Sequence, residues 1–99
     1  MEQHALVERI LAMTLAIEHA VALADWQEAA RLSEERSPLF MLLTREQSAI
    51  SMASIDRIRA IDEVYAREAK VAQNELHKEY TAAIRNTQAA SKYHQAARL

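Results

Sequence analysis

The stretch ADWQEAARLSEERSPLF, residues 24–40, decides how the chain is organised, because it joins an Asp-Trp pair to the only proline of a sequence that has no glycine. Asp25 stands where a helix N-cap is wanted. Glu28 follows three residues later, as in a capping box, reaching back towards the first free amides. Trp26 becomes the first helical residue and is wedged at an elbow, where a lone tryptophan is read as packing ahead of a binding hot spot. The elbow is thus a turn made without glycine: one helix ends, and the Asp25 carboxylate starts the next within a residue or two.

Behind the elbow, Leu6, Ile10, Met13, Ile17, Ala20 and Ala24 recur at helical intervals, with Val7, Leu11 and Val21 widening the stripe. This predicts a helix over about residues 3–24. Ahead of it, Ala29, Leu32, Arg36, Leu39, Phe40 and Leu43 predict a second over about 26–44. Pro38 falls inside that run, removes one backbone bond and collides with the carbonyl of Glu34. The expectation is a kink near 34–38 or a restart with Ser37 as cap and Pro38 as first residue. Five consecutive apolar residues, Leu39 to Leu43, cannot all face one core, so they are buried on several sides or form a patch for a partner.

After a polar link, Thr44 to Ser48, Ile58, Ile61, Tyr65, Ala69, Ala72, Leu76, Tyr80 and Ala83 follow an eleven-residue repeat that keeps one face of a nearly straight helix. Asp56 with Arg59 and Glu63 with Arg67 lie on the opposite face as helical neighbours. The third helix is predicted over about 48–95, in one piece or broken into a short fourth. The fold class is all-α: an antiparallel three-helix bundle with a long third helix, residues 1–99 forming a single helical domain. At about 1.5 Å per residue the first two helices are each about 30 Å long and the third about 70 Å, so cover is expected only to about residue 70. Beyond that the chain folds back, dimerises or offers a surface to another protein.

Composition narrows the chemistry. Without glycine no phosphate loop, dinucleotide fingerprint or glycine-bearing nucleophile elbow can be built. Without cysteine there is no disulfide framework or thiolate zinc site, which fits a cytoplasmic location. The most apolar region, Leu6 to Leu23, is interrupted by Glu8, Arg9, Glu18 and His19, so membrane insertion is not expected. Residues 1–79 carry nine basic and fourteen acidic side chains, net −5, and residues 80–99 carry three basic ones, net +3. The basic end complements a helix dipole or forms a docking tail for an acidic partner. A pI near 6.1 with no basic stripe of interleaved aromatics argues against nucleic acid.

Catalysis is not expected, and neither is a cofactor or a metal. His4, His19, His77 and His94 lack paired ligand spacing, His4 and Glu8 one turn apart being only a weak metal signal. The adjacent acids Glu34 and Glu35, or Asp62 and Glu63, diverge on a helix. Ser37, Ser48, Ser51 and Ser54 show no histidine partner in the sequence.

With these residues in hand, the chain resembles the FliT family of flagellar export chaperones. The carrying features are the 24–40 stretch, with its D-W pair, spaced apolar positions and E-R before a leucine-rich turn, then I-x-x-I-D at Ile58, Ile61 and Asp62, and SKY at 91–93. The resemblance implies a cytoplasmic protein of flagellum biogenesis that binds the filament-cap protein FliD and delivers it to the type III secretion apparatus. The flagellar export ATPase complex and the master regulator FlhDC are further implied partners. Together the two readings place an amphipathic client segment on the third helix and the end of the second. The expected groove residues are Ile61, Val64, Tyr65, Val71, Leu76 and Tyr80, with Phe40 and Leu43 at the wall and Arg67 and Lys70 at the rim. Ile61 and Tyr65 stand equally as bundle core, and Tyr80 and Tyr93 as packing or partner contact. The competing reading is a structural homodimer or adaptor that covers its own overhang.

Overall fold

A computed structural model describes residues 2–97, which form three α-helices: α1, Gln3–Ala22; α2, Trp26–Phe40; and α3, Ala49–Ala97. The chain divides into two compact units, Met1–Glu68 and Ala69–Leu99, so α3 supplies residues to both.

α1 begins at Glu2, whose carboxylate accepts from the amides of His4 at 2.7 Å and Ala5 at 3.0 Å. It stops at Ala22, two residues earlier than the apolar pattern suggests, because Ala24 adopts a left-handed φ of 55°. The Ala24 amide donates to Val21 O at 2.9 Å and the Asp25 amide to Ala20 O at 2.8 Å, a Schellman closure of the helix end. Asp25 then caps α2 by accepting from the Glu28 amide at 3.1 Å. One residue thus ends one helix and starts the next. Half of the expected capping box forms, since Glu28 does not reach back. Its carboxylate takes Arg31 at 2.6 Å instead, and Arg31 also pairs with Glu35 at 2.9 Å.

α2 runs through Pro38 without a restart, and Ser37 is an interior residue rather than a cap. The proline sits in the last turn, where only one helical bond is lost, and the carbonyl left without a partner belongs to the exposed Glu34. Bonds from Met41 to Pro38, Leu42 to Leu39 and Leu43 to Phe40 then tighten the chain into three-residue turns. The helix consequently ends at Phe40, short of the expected 44. Gln3 holds the following link, donating to Leu42 O at 3.1 Å and accepting from the Thr44 amide at 3.0 Å and from Gln47 at 2.6 Å. Ser48 caps α3 by accepting from the Ser51 amide at 3.1 Å.

Within the unit Met1–Glu68, α2 returns along α1, and most of the close backbone proximity between helices lies in this pair. Leu6, Val7, Ile10, Leu11 and Ile58 form one buried cluster, packed by Leu15, Leu39, Phe40, Leu43 and Ile55. Ile17, Ala20 and Ala29 form a second, flanked by Val21, Leu32 and Tyr65. Small residues at 20 and 29 let α1 and α2 close beside the elbow.

Ala24→Gly relieves the left-handed alanine and is expected to stabilise the fold by roughly 0.5–1 kcal/mol, whereas Asp25→Ala is expected to cost about 1 kcal/mol, both read by urea denaturation. The Glu2 carboxyl is held below its ordinary value of 4.5 by the amides of His4 and Ala5, and that of Glu28 by hydrogen bonding to Arg31. Depressed folded-state values mean stability that is present above pH 4.5 and lost as pH falls through them. An acid titration of helical circular dichroism should therefore decline below about pH 4.5, and less steeply in a Glu2→Gln/Glu28→Gln variant.

Candidate functional site

Within the unit Met1–Glu68 a cation is buried among apolar side chains. Arg36 is 6% exposed, yet it carries a full charge. Its Nη1 donates to Thr14 Oγ1 at 2.7 Å and to Asp62 Oδ1 at 2.8 Å, while the guanidinium carbon lies 4.9 Å from the centre of the Phe40 ring. Thr14, also buried, donates its own hydroxyl proton to Ile10 O at 2.8 Å. One arginine of α2 is thereby tied to α1 and to α3, and the apolar spacing that includes Arg36 was the signal in the sequence that it faces inward. Nothing in the sequence pairs it with Thr14 or Asp62, which lie 22 and 26 residues away.

The expected groove residues separate by unit. In Met1–Glu68, Phe40 and Leu43 pack against the first cluster and Tyr65 against the second, and Ile61 is only 8% exposed. These side chains contribute to the interior. Val64 and Arg67 lie at the surface. Val64 borders a notch of ≈ 30 Å³ lined by Glu18, Val21, Ile61, Val64 and Tyr65, room for one water or one methyl group. Met41, at 84% exposure, and Leu42 show that the leucine-rich run is split between interior and solvent.

In Ala69–Leu99 every described residue belongs to α3. Val71, Leu76 and Tyr80 are exposed at 56%, 67% and 64%, with Ile84 and Tyr93 exposed as well. Leu76, Tyr80 and Ile84 succeed one another every four residues and so share a face. Lys70 is exposed, and an ion pair of this unit, Lys78 with Glu75 at 3.5 Å, lies on the surface, where it contributes little.

One serine does have a histidine neighbour: Ser51 Oγ lies 3.4 Å from His4 Nδ1. The contact joins residues 47 apart, which is why the sequence hides it, and Ser51 is 1% exposed at the first turn of α3. A substrate cannot reach a hydroxyl in that position. Among the described residues no three His, Asp or Glu side chains are gathered as a metal ion requires, and no helix is long and apolar enough to cross a membrane. No protein-family model matches the chain, and comparison with curated proteins and with solved structures finds no match.

The division into interior and open positions has a direct check. Ile61→Ala should cost about 2–4 kcal/mol by loss of buried volume, whereas Leu76→Asp and Tyr80→Ala should each change stability by no more than about 0.7 kcal/mol. Chemical denaturation of the three variants reads all of these values.

Proposed function

We propose that this chain is a FliT-type flagellar export chaperone, built as an antiparallel three-helix bundle, acting in the cytoplasm and performing no chemistry. Its client is an amphipathic segment of the filament-cap protein FliD, which is held in a non-associating form and handed to the flagellar type III export apparatus. The export ATPase complex and the FlhDC regulator are the further partners this reading assigns.

The observation that carries the proposal is the apolar series Leu76, Tyr80 and Ile84, exposed with Val71 on a single helical segment whose own unit, among the described residues, holds no second element to cover it. A helix presenting side chains four residues apart suits the apolar face of another helix. Lys70 and Arg85 flank these positions in sequence and would meet acids of the client at the rim. Of the expected site, Lys70, Val71, Leu76 and Tyr80 are surface positions of the unit Ala69–Leu99, and Val64 and Arg67 are surface positions of the unit Met1–Glu68, whose interior holds Phe40, Leu43, Ile61 and Tyr65.

Titration calorimetry of the protein against the C-terminal segment of the cap protein from the same organism, with light scattering for stoichiometry, tests the reading. Saturable binding of one client per chain is expected, weakened at least about tenfold, or 1.4 kcal/mol, by Leu76→Asp or Tyr80→Ala at unchanged helicity. A flat titration from a stable dimer would reject it in favour of a chain that covers its own apolar face.

A further inference from the structure

α3 opens with a repeat that leaves its own placement ambiguous. Serines stand at 48, 51 and 54 and branched aliphatics at 55, 58, 61 and 64, both series spaced by three residues. Sliding α3 forward by three residues, about 4.5 Å, exchanges like for like at the inward positions. Ser54 replaces the buried Ser51, Ile58 replaces Ile55, Ile61 replaces Ile58 and Val64 replaces Ile61. Aliphatic packing against α1 and α2 therefore discriminates weakly between the two placements. The exceptions are position 62, where the slide removes Asp62 from Arg36 and brings Tyr65 in its place, and position 65 at the edge of the second cluster, where Glu68 takes the place of Tyr65.

We propose that the Arg36–Asp62 pair is a register lock: it selects one placement of α3 on the α1–α2 hairpin against a placement slipped by one turn. Arg36 is 6% exposed, its Nη1 has Asp62 as its one anionic partner, and its Nε is buried without an acceptor, so loss of that carboxylate leaves a buried cation without a counter-charge. In the slipped placement it keeps Thr14 and the Phe40 ring but holds a buried charge facing a phenol. Fixing register through one buried polar contact, at the expense of stability, is a role such contacts serve in helical assemblies. The lock also determines which residues of α3 are used up in the interior. It does not depend on the identity of any client.

The absence of cysteine allows a clean reporter. Glu8 Oε1 accepts from Ser54 Oγ at 3.0 Å, so crosslinking of Glu8→Cys/Ser54→Cys by a short bifunctional thiol reagent reads the observed register, and that of Glu8→Cys/Arg57→Cys reads the slipped one. In the otherwise unaltered chain the first crosslink should form at least about tenfold faster. Removing the lock with Arg36→Met/Asp62→Leu should leave a helical protein in which the two rates lie within about threefold. Moving the acid with Asp62→Asn/Tyr65→Asp should invert the preference. Helical variants that keep the original preference would overturn the proposal, as would loss of helical structure in both, which would show that the pair carries the fold instead of choosing between placements.

Discussion

A charged guanidinium held at 6% exposure sets the terms for the whole unit Met1–Glu68. Removing a cation from water costs several kcal/mol, recovered only through well-placed hydrogen bonds and an opposite charge. Arg36 meets that demand from three directions at once: the Thr14 hydroxyl on α1, the Asp62 carboxylate on α3 and the face of Phe40 on its own helix. Each neighbour is useful only if its helix is in place, so the network makes the three helices mutually dependent. Truncating one member leaves an uncompensated buried charge, whereas replacing the set by apolar residues need not destabilise the fold. The interaction is therefore better understood as a source of specificity than of stability.

The aliphatic clusters supply the stability in larger part, since each fully buried Leu, Ile or Val contributes roughly 1.5–3 kcal/mol. Leu6, Val7, Ile10 and Ile17 of α1 are buried completely, so α1 is the helix around which the interior is arranged. α3 is different in kind. Residues of its first part enter both clusters, as Ile58 and Tyr65 do, while Val71, Leu76 and Tyr80 of its second part stand in water. Leu76, Tyr80 and Ile84, exposed apolar side chains four residues apart, are the feature on which the proposed client-binding role rests.

Much of the architecture was legible in local patterns. The three helices, the Asp25 cap, Trp26 as first residue of α2 and the Ser48 boundary of α3 all follow from capping chemistry and a 3.6-residue period. The helix ends were less so, because Ala24 takes a conformation usually left to glycine, and a proline in the last turn terminates a helix without breaking it. What stayed hidden was long in range: Thr14 and Asp62 as partners of Arg36, His4 beside Ser51, and Gln3 holding the link near Thr44. The candidate groove was half legible for the same reason. Periodicity puts Ile61, Tyr65, Leu76 and Tyr80 on one stripe, but only tertiary contacts distinguish those consumed by the interior from those left open.

That distinction between the two parts of α3 can be read by amide hydrogen exchange along α3 of the unmodified protein. Amides of residues 55–65 should exchange far more slowly than those of residues 69–84, because only the former are backed by buried side chains. Equal and strong protection along the whole helix would contradict it, showing that the series Val71, Leu76, Tyr80 and Ile84 is already covered and is not a surface waiting for a partner.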